Sequence, residues 1–301
     1  MPNADGMQPI ADKYVSILTR NADMSKKCSY GTGGKADYYF APDCDEVAGA
    51  LISDLKKADL PYFILGGGSD VLVSDDGYRG AVVSTEKLKS ISLCGRILTA
   101  GAGVKISELV KFALYSSLGG IEFLSGIPAT VGGVVTMNAG CFGKSVADRL
   151  SYVVTTDGIY PAKDCGFSYR ESLFKKNGEC VLKAAFRLDN AEYEQSESKI
   201  EYYKNLRRSK QPKGRSCGSV FLNDGCYAGR TIESCNLKGR RVGGARVSEK
   251  HANFIIADAD CKSEDIYALI NEVRKTVREK TGTELREELV YLGRFGDENK
   301  F

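Results

Sequence analysis

The chain has 301 residues, of which 43% are hydrophobic and 27% charged, with a formal net charge of +3. This composition has room for about two globular domains and excludes a disordered or fibrous chain. The small charge, with no basic tail or Arg/Lys block, excludes the electrostatic footprint of a nucleic-acid binder, and no apolar run approaches the ~18 residues of a membrane helix.

In chain order, a GxGxxA match at Gly31, Gly33 and Ala36 comes first, but the KKCSY before it is no buried strand, so it does not open a Rossmann unit. Helical spacing follows over about Asp45 to Lys57, with Val47, Leu51, Ile52 and Leu55 on one face. A strand from Tyr62 to Leu65 empties into Gly66, Gly67, Gly68 and Ser69, and a second spans Ala81 to Ser84. A helix is predicted behind Ser107 as N-cap, carrying Leu109, Val110, Ala113 and Leu114 and ending at Gly119. The glycine-rich run Gly119 to Gly143 comes next, then strands at Val153 to Thr156 and Val181 to Leu188. A polar stretch, DNAEYEQSESKIEYYKNLRRSKQPKGRS, holds a short helix and a domain boundary near Glu194. Beyond it lie strands at Arg241 to Val247, Asn253 to Ala257 and Leu289 to Leu292. The helix Glu264 to Lys280 is capped by Ser263, striped by Ile266, Leu269, Ile270, Val273 and Val277, and ended by Gly282. Helices and strands mix, so the class is α/β or α+β.

The two glycine clusters carry the chemistry. Glycine permits positive φ and removes the Cβ that would block close approach, so successive N–H groups can converge on oxygen anions. Each cluster alone reads as tight turns; two together suit a pyrophosphate, although no GxxxxGK[ST] occurs. The ten cysteines are dispersed without a CxxC pair, which reads as reduced thiols in a cytoplasmic protein, and the N-terminus shows no charged region followed by an apolar one. Cys217, Cys226, Cys235 and His251 lack the paired spacing of structural zinc, so no metal is expected.

The order of motifs resembles one family: GGKADYYFAP, ILGGGSDVLVSDDGYRG, GIPATVGG with MNAG, FSYRESLFK, RRSKQP, CGSVFLN, AGRTIESCNLKGRRVGGARVSEKHANFII and EELVYLG. That family is the UDP-N-acetylenolpyruvoylglucosamine reductases, and the spacing between SYRES and CGSVF resembles its shorter type. The resemblance implies an α+β protein: a vanillyl-alcohol-oxidase-type FAD-binding module of two α/β subdomains over 1–193, and a substrate-binding domain over 194–301. It implies non-covalent FAD, NADPH as co-substrate, and a UDP-sugar enolpyruvyl ether as substrate, in peptidoglycan precursor synthesis, with no obligate protein partner. Gly66, Gly67, Gly68, Ser69 and Asp70 would cradle the FAD pyrophosphate, with Gly126, Ile127, Thr130, Gly132, Gly133 and Asn138 completing the pocket.

The resemblance further places Tyr169 and Arg170 at the family's YR motif, Ser219 at its proton-donor position and Glu288, five residues before Gly293, at its catalytic glutamate. Glu287 is the competing assignment. Arg207, Arg208 and Lys210 suit the substrate diphosphate, Lys210 foremost and the two arginines undivided, while Asn223 and Asn253 suit the sugar or enolpyruvyl group. His251 takes no catalytic role. Several positions depart from the family: Gly31, where a basic residue is common, Asp70, where Asn is, Ala129, where Gly is, and the LRE before Glu288, where LEP is frequent. Asp70 is unexpected, since a carboxylate repels a pyrophosphate unless it turns away or meets a cation. Other flavin oxidoreductases of the same fold, or an idle flavin- or nucleotide-binding protein, would keep the glycine loops without Ser219 and Glu288.

Overall fold

The computed structural model describes residues 4–296 and 298–300. The chain forms two compact units. One takes residues up to Leu18, Phe40–Gly67 and Val82–Arg207; the other takes Thr19–Tyr39, Gly68–Ala81 and the chain from Arg208 onward. The last crossing falls inside the helix Tyr193–Lys210, eighteen residues long where the sequence suggested a short one.

The first unit is built on an antiparallel five-stranded sheet in the order Ile159–Pro161, Leu150–Thr155, Val181–Arg187, Ile97–Gly101, Ile91–Cys94. Its core joins Leu98, Ala100, Val104, Leu109, Val134, Val153, Ala184 and Phe186, with the helices Ile106–Tyr115 and Val131–Thr136 contributing. The helix predicted behind Ser107 starts two residues earlier. Lys105 is the N-cap, and its N–H reaches the Glu108 carboxylate at 3.4 Å. It ends at Tyr115 rather than Gly119, because Ser117 already stands at φ +52°.

The second unit has its own core of Tyr30, Leu72, Val220, Phe221, Ile255, Ile266, Ile270, Leu289 and Tyr291. Val71–Val73 pairs in parallel with Val290–Phe295, in the register Val71 to Val290. The expected strand Arg241 to Val247 is a hairpin instead, Arg241–Val242 turning back through Gly243 at φ +50° into Ala245–Val247, which pairs with Ile255–Ala257. Two adjacent glycines are the turn signal that the apolar pattern concealed. The helix Ser263–Thr281 includes Ser263, because Asp75 accepts the N–H groups of Ser263 and Glu264 from outside at 3.0 and 3.1 Å. Its C-cap is Gly282 at φ +71°, as the sequence indicated.

Candidate active site

In the first unit the strand Tyr62–Leu65 delivers Gly66 to the start of the helix Val131–Thr136. A Cβ on Gly66 would stand 2.9 Å from Thr130 Oγ1 and 3.7 Å from Gly133 N, so a hydroxyl and a helix-start N–H converge on the bare face of this glycine. Thr130 Oγ1 is enclosed and has no hydrogen-bond partner. Buried hydroxyls are rarely left so, and the arrangement fits a phosphate oxygen. In the second unit Gly68 is fixed for a different reason: at φ +62°, its Cβ would fall 2.0 Å from Lys27 O, so only glycine lets the loop lie on Lys27 and Cys28.

Other glycine-loop residues do structural work. Gly132 donates its N–H to Ala102 O at 2.9 Å and makes room for the Ala102 side chain, so it packs the helix rather than presenting a donor. Gly126, at φ +85°, lets the Arg207 stem pass 3.0 Å from where a Cβ would be, and Ile127 packs on the core. Both ends of the Asn138 amide are taken: Nδ2 donates to Ser168 O at 2.8 Å and Oδ1 accepts from Ala147 N–H at 3.2 Å. Asn138 therefore positions the next motif instead of reaching for a ligand. Ser172 Oγ donates to Thr136 O at 2.6 Å, and Arg170 Nη2 donates to Gly140 O at 3.2 Å. Three bonds thus lock FSYRES onto TMNAG, and Arg170, at φ +56°, lies over the ring of half-exposed Tyr169.

Arg207 is committed within the same unit. Its Nε donates to Ser125 O at 2.8 Å and Nη2 to Phe123 O at 3.1 Å, while the guanidinium covers the Phe142 ring and meets Cys141 Sγ. With Nε and Nη2 turned onto these backbone and thiol groups, only Nη1 is left for a diphosphate. Burial pushes the Cys141 thiol up, and the nearby Arg207 opposes it. Lys210 and Arg208 are exposed. A cavity of about 490 Å³ near Lys144, Lys199 and Tyr202 holds none of the residues predicted for the site.

In the second unit, Ser219 is half-buried between Gly218, at φ +83°, and Val220. The segment is clamped from two sides. Val220 N–H donates to Asn253 O, Phe221 N–H to Asn253 Oδ1 and Asn253 Nδ2 back to Phe221 O, at 2.9, 2.9 and 2.8 Å. Asn253 is 1% exposed with both ends of its amide bonded to Phe221, so it shapes the serine segment. Asn223 Oδ1 accepts from Ala228 N–H at 3.0 Å and holds the next turn. On the other side Glu288 N–H donates to Val220 O at 2.8 Å. Glu287 accepts from Arg274 Nη1 at 2.7 Å and lies beside Tyr291, whose hydroxyl is pushed far up, chiefly by burial and then by the Glu287 charge. Of the two adjacent carboxylates, Glu287 is thereby engaged in an ion pair on the helix side.

Asp70 also belongs to this unit. Its carbonyl accepts from Val290 N–H at 3.0 Å, which brings the start of one parallel strand beside the other. Burial raises the Cys217 thiol far above its ordinary range, and the Asp70 and Glu288 carboxylates add to this against the opposing Tyr30 contact. Tyr30 is likewise raised, mainly by burial. Asp70 thus acts electrostatically on the buried Tyr30 and Cys217. Neither residue stood out in the sequence, because only non-local packing brings them together. His251 has its pKa lowered by burial, its ring lies edge-on to Phe254 and its Nδ1 accepts from Asn253 N–H at 3.3 Å, a structural setting.

A glycine-loop module joined to an α+β domain is the architecture of a vanillyl-alcohol-oxidase-type flavoprotein. Residues 36–158 match the FAD binding domain family, and residues 210–292 match the C-terminal domain of UDP-N-acetylenolpyruvoylglucosamine reductase. The chain is 37% identical over 296 residues to the UDP-N-acetylenolpyruvoylglucosamine reductase of Caldanaerobacter subterraneus subsp. tengcongensis, covering 94% of this chain and 98% of that one. It is 39% identical over 268 residues to that of Streptococcus pneumoniae strain JJA, covering 87% and 89%. The crystal structure of the enzyme of that name from Thermus caldophilus superposes with a TM-score of 0.78 at 32% identity, covering 91% and 98%. A variant of Phl p 4, a glucose oxidase, shares the fold alone, with a TM-score of 0.50 at 16% identity over 62% of this chain and 44% of that one. The chain belongs to the UDP-N-acetylenolpyruvoylglucosamine reductase family and is an oxidoreductase.

Proposed function

We propose that this protein reduces the enolpyruvyl ether of UDP-N-acetylglucosamine to UDP-N-acetylmuramate, with NADPH as reductant and non-covalent FAD as cofactor, in peptidoglycan precursor synthesis. The supporting observation is the match to the reductases over 94% of this chain and 98% of the first relative's length; Arg170, Ser219 and Glu288 would be the residues at the family's motif positions. The FAD module would extend to about residue 193 and the substrate-binding domain over 194–301. The ten cysteines, none of them in a disulfide, suit the cytoplasm. Among the described residues no helix is long and apolar enough to cross a membrane.

Gly66, Gly67, Gly68, Ser69, Thr130 and Gly133 are the residues that would hold FAD, with Asp70 by its backbone. When bound, FAD would supply hydride chemistry between NADPH and C3 of the enolpyruvyl ether. The rest falls to the chain's own side chains. Negative charge develops at C2 in conjugation with the substrate carboxylate, and Ser219 would deliver a proton there. Arg170 by its charge, and Glu288 as a hydrogen-bond donor in its protonated form, would stabilise the developing enolate, an interaction strongest where charge appears only in the transition state. A guanidinium keeps its charge at any working pH, which suits that role. Tyr169 and Lys210 would hold the substrate, Lys210 as a phosphate partner.

The purified protein should be yellow, and denaturation should release the flavin into the filtrate. Two glycine loops with an orphaned hydroxyl motivate this. Colourless protein that takes up no added FAD would refute the proposal, and flavin that stays with the precipitated chain would refute the non-covalent link.

A further inference from the structure

The turn from Cys28 to Gly31, in the second unit, gathers unsatisfied polar groups. Gly31 N–H closes it on Cys28 O at 3.2 Å, with Gly31 at φ +68°. A Cβ on Gly31 would lie 3.1 Å from both Cδ and Nη1 of Arg215, so the arginine stem occupies the bare face of the glycine. Arg215 is anchored at its root: its carbonyl accepts from Ala257 N–H at 2.9 Å, and Nε donates to Ala257 O at 3.4 Å. Its far nitrogen, Nη2, is enclosed without an acceptor, and Ser29 Oγ on the turn is enclosed without a partner too, whereas Tyr30 OH meets the Cys217 thiol.

Among the described residues, two buried side-chain atoms without a partner, Ser29 Oγ and Arg215 Nη2, belong to this turn and the arginine against it. That juxtaposition points to one shared occupant, since a buried charged donor is costly to leave without an acceptor. Carboxylates that share the surroundings of Cys261 with Arg215 are already engaged. Asp75 takes two helix N–H groups, Asp265 takes Gly244 and Lys262 N–H, and Asp258 takes Arg241 and Arg246. Ser29 N–H donates to Gly68 O at 2.9 Å, tying the turn to the glycine loop. The residue Arg215 as a whole is half-buried.

We propose that Arg215 and Ser29 form a phosphate-oxygen subsite over Gly31, the guanidinium and the hydroxyl donating to one oxyanion of a pyrophosphate. Resting on the function proposed above, that pyrophosphate is either the flavin's or the substrate's UDP group. Guanidinium chemistry favours such a partner, because its fork matches phosphate oxygens and its bonds to them are charge-assisted.

Two titrations of the holoprotein decide it: release of FAD on dilution, followed by flavin fluorescence, and binding of UDP, followed by calorimetry. Arg215→Met keeps the stem over Gly31 and removes the donors. It should weaken FAD or UDP binding about tenfold or more, with Arg215→Lys intermediate. Loss in the FAD arm assigns the flavin pyrophosphate, and loss in the UDP arm the substrate diphosphate. Arg215→Met within about twofold of the parent in both arms overturns the subsite and leaves an ordered water as the occupant. Should Arg215→Met fail to fold, Arg215→Lys and Ser29→Ala carry the test, and unchanged binding in both overturns it equally. A parent that binds no UDP refutes the proposed function, and the FAD arm still decides the subsite.

Discussion

Ser219→Ala should leave reduction of the bound flavin by NADPH near the parent rate and slow reoxidation by the enolpyruvyl ether by roughly 10²-fold to 10⁴-fold, the usual cost of losing a positioned acid. The first half-reaction needs no proton from this serine; the second must quench charge at C2. The backbone should survive the change, because Asn253 and Glu288 hold Val220 and Phe221 from two sides through bonds that do not involve the Ser219 side chain. Stopped-flow absorbance of the flavin reads each half separately. A variant reoxidised as fast as the parent would show that Ser219 is not the donor.

The neighbouring carboxylates should behave oppositely. Glu288→Gln is expected to slow the substrate half by about 10²-fold or more, the scale on which a group aimed at transition-state charge acts. Glu287→Gln should be mild in rate and slightly destabilising, because Glu287 is spent on Arg274 at 2.7 Å in a pair 45% exposed on the arginine side. Such a pair contributes only about 0.2–1 kcal/mol. The measurements are the same stopped-flow half-reaction and a denaturant midpoint for each variant. If Glu287→Gln is the crippled enzyme and Glu288→Gln the mild one, the catalytic glutamate has been placed one residue late.

Helix existence was legible wherever an apolar stripe was long. The stripe from Ile266 to Val277 and the Gly282 stop marked the last helix, while its start was hidden because the capping carboxylate, Asp75, lies 188 residues away from Ser263. The Arg241 to Val247 segment misled because its flanking residues suit a strand and only the glycine pair at 243 and 244 betrays the turn. Within the candidate site, residue types identified the motifs but not which polar groups were already spent. Asn253, Asn138 and Arg207 all looked like ligand contacts, and each turns out to serve backbone groups. Hydrogen-bond occupancy depends on partners far along the chain, and no local pattern records it. Thr130 is the reverse case: its hydroxyl stands enclosed and unpaired as a ligand contact would.

The central claim is that this chain couples NADPH oxidation to saturation of an enolpyruvyl ether. Anaerobic protein reduced with one equivalent of NADPH, then mixed with the enolpyruvyl ether of UDP-N-acetylglucosamine, tests it most directly. The flavin absorbance should return within the time of a single turnover and yield one equivalent of UDP-N-acetylmuramate. Reduced flavin that persists with the ether present and recovers only when air is admitted would contradict the account.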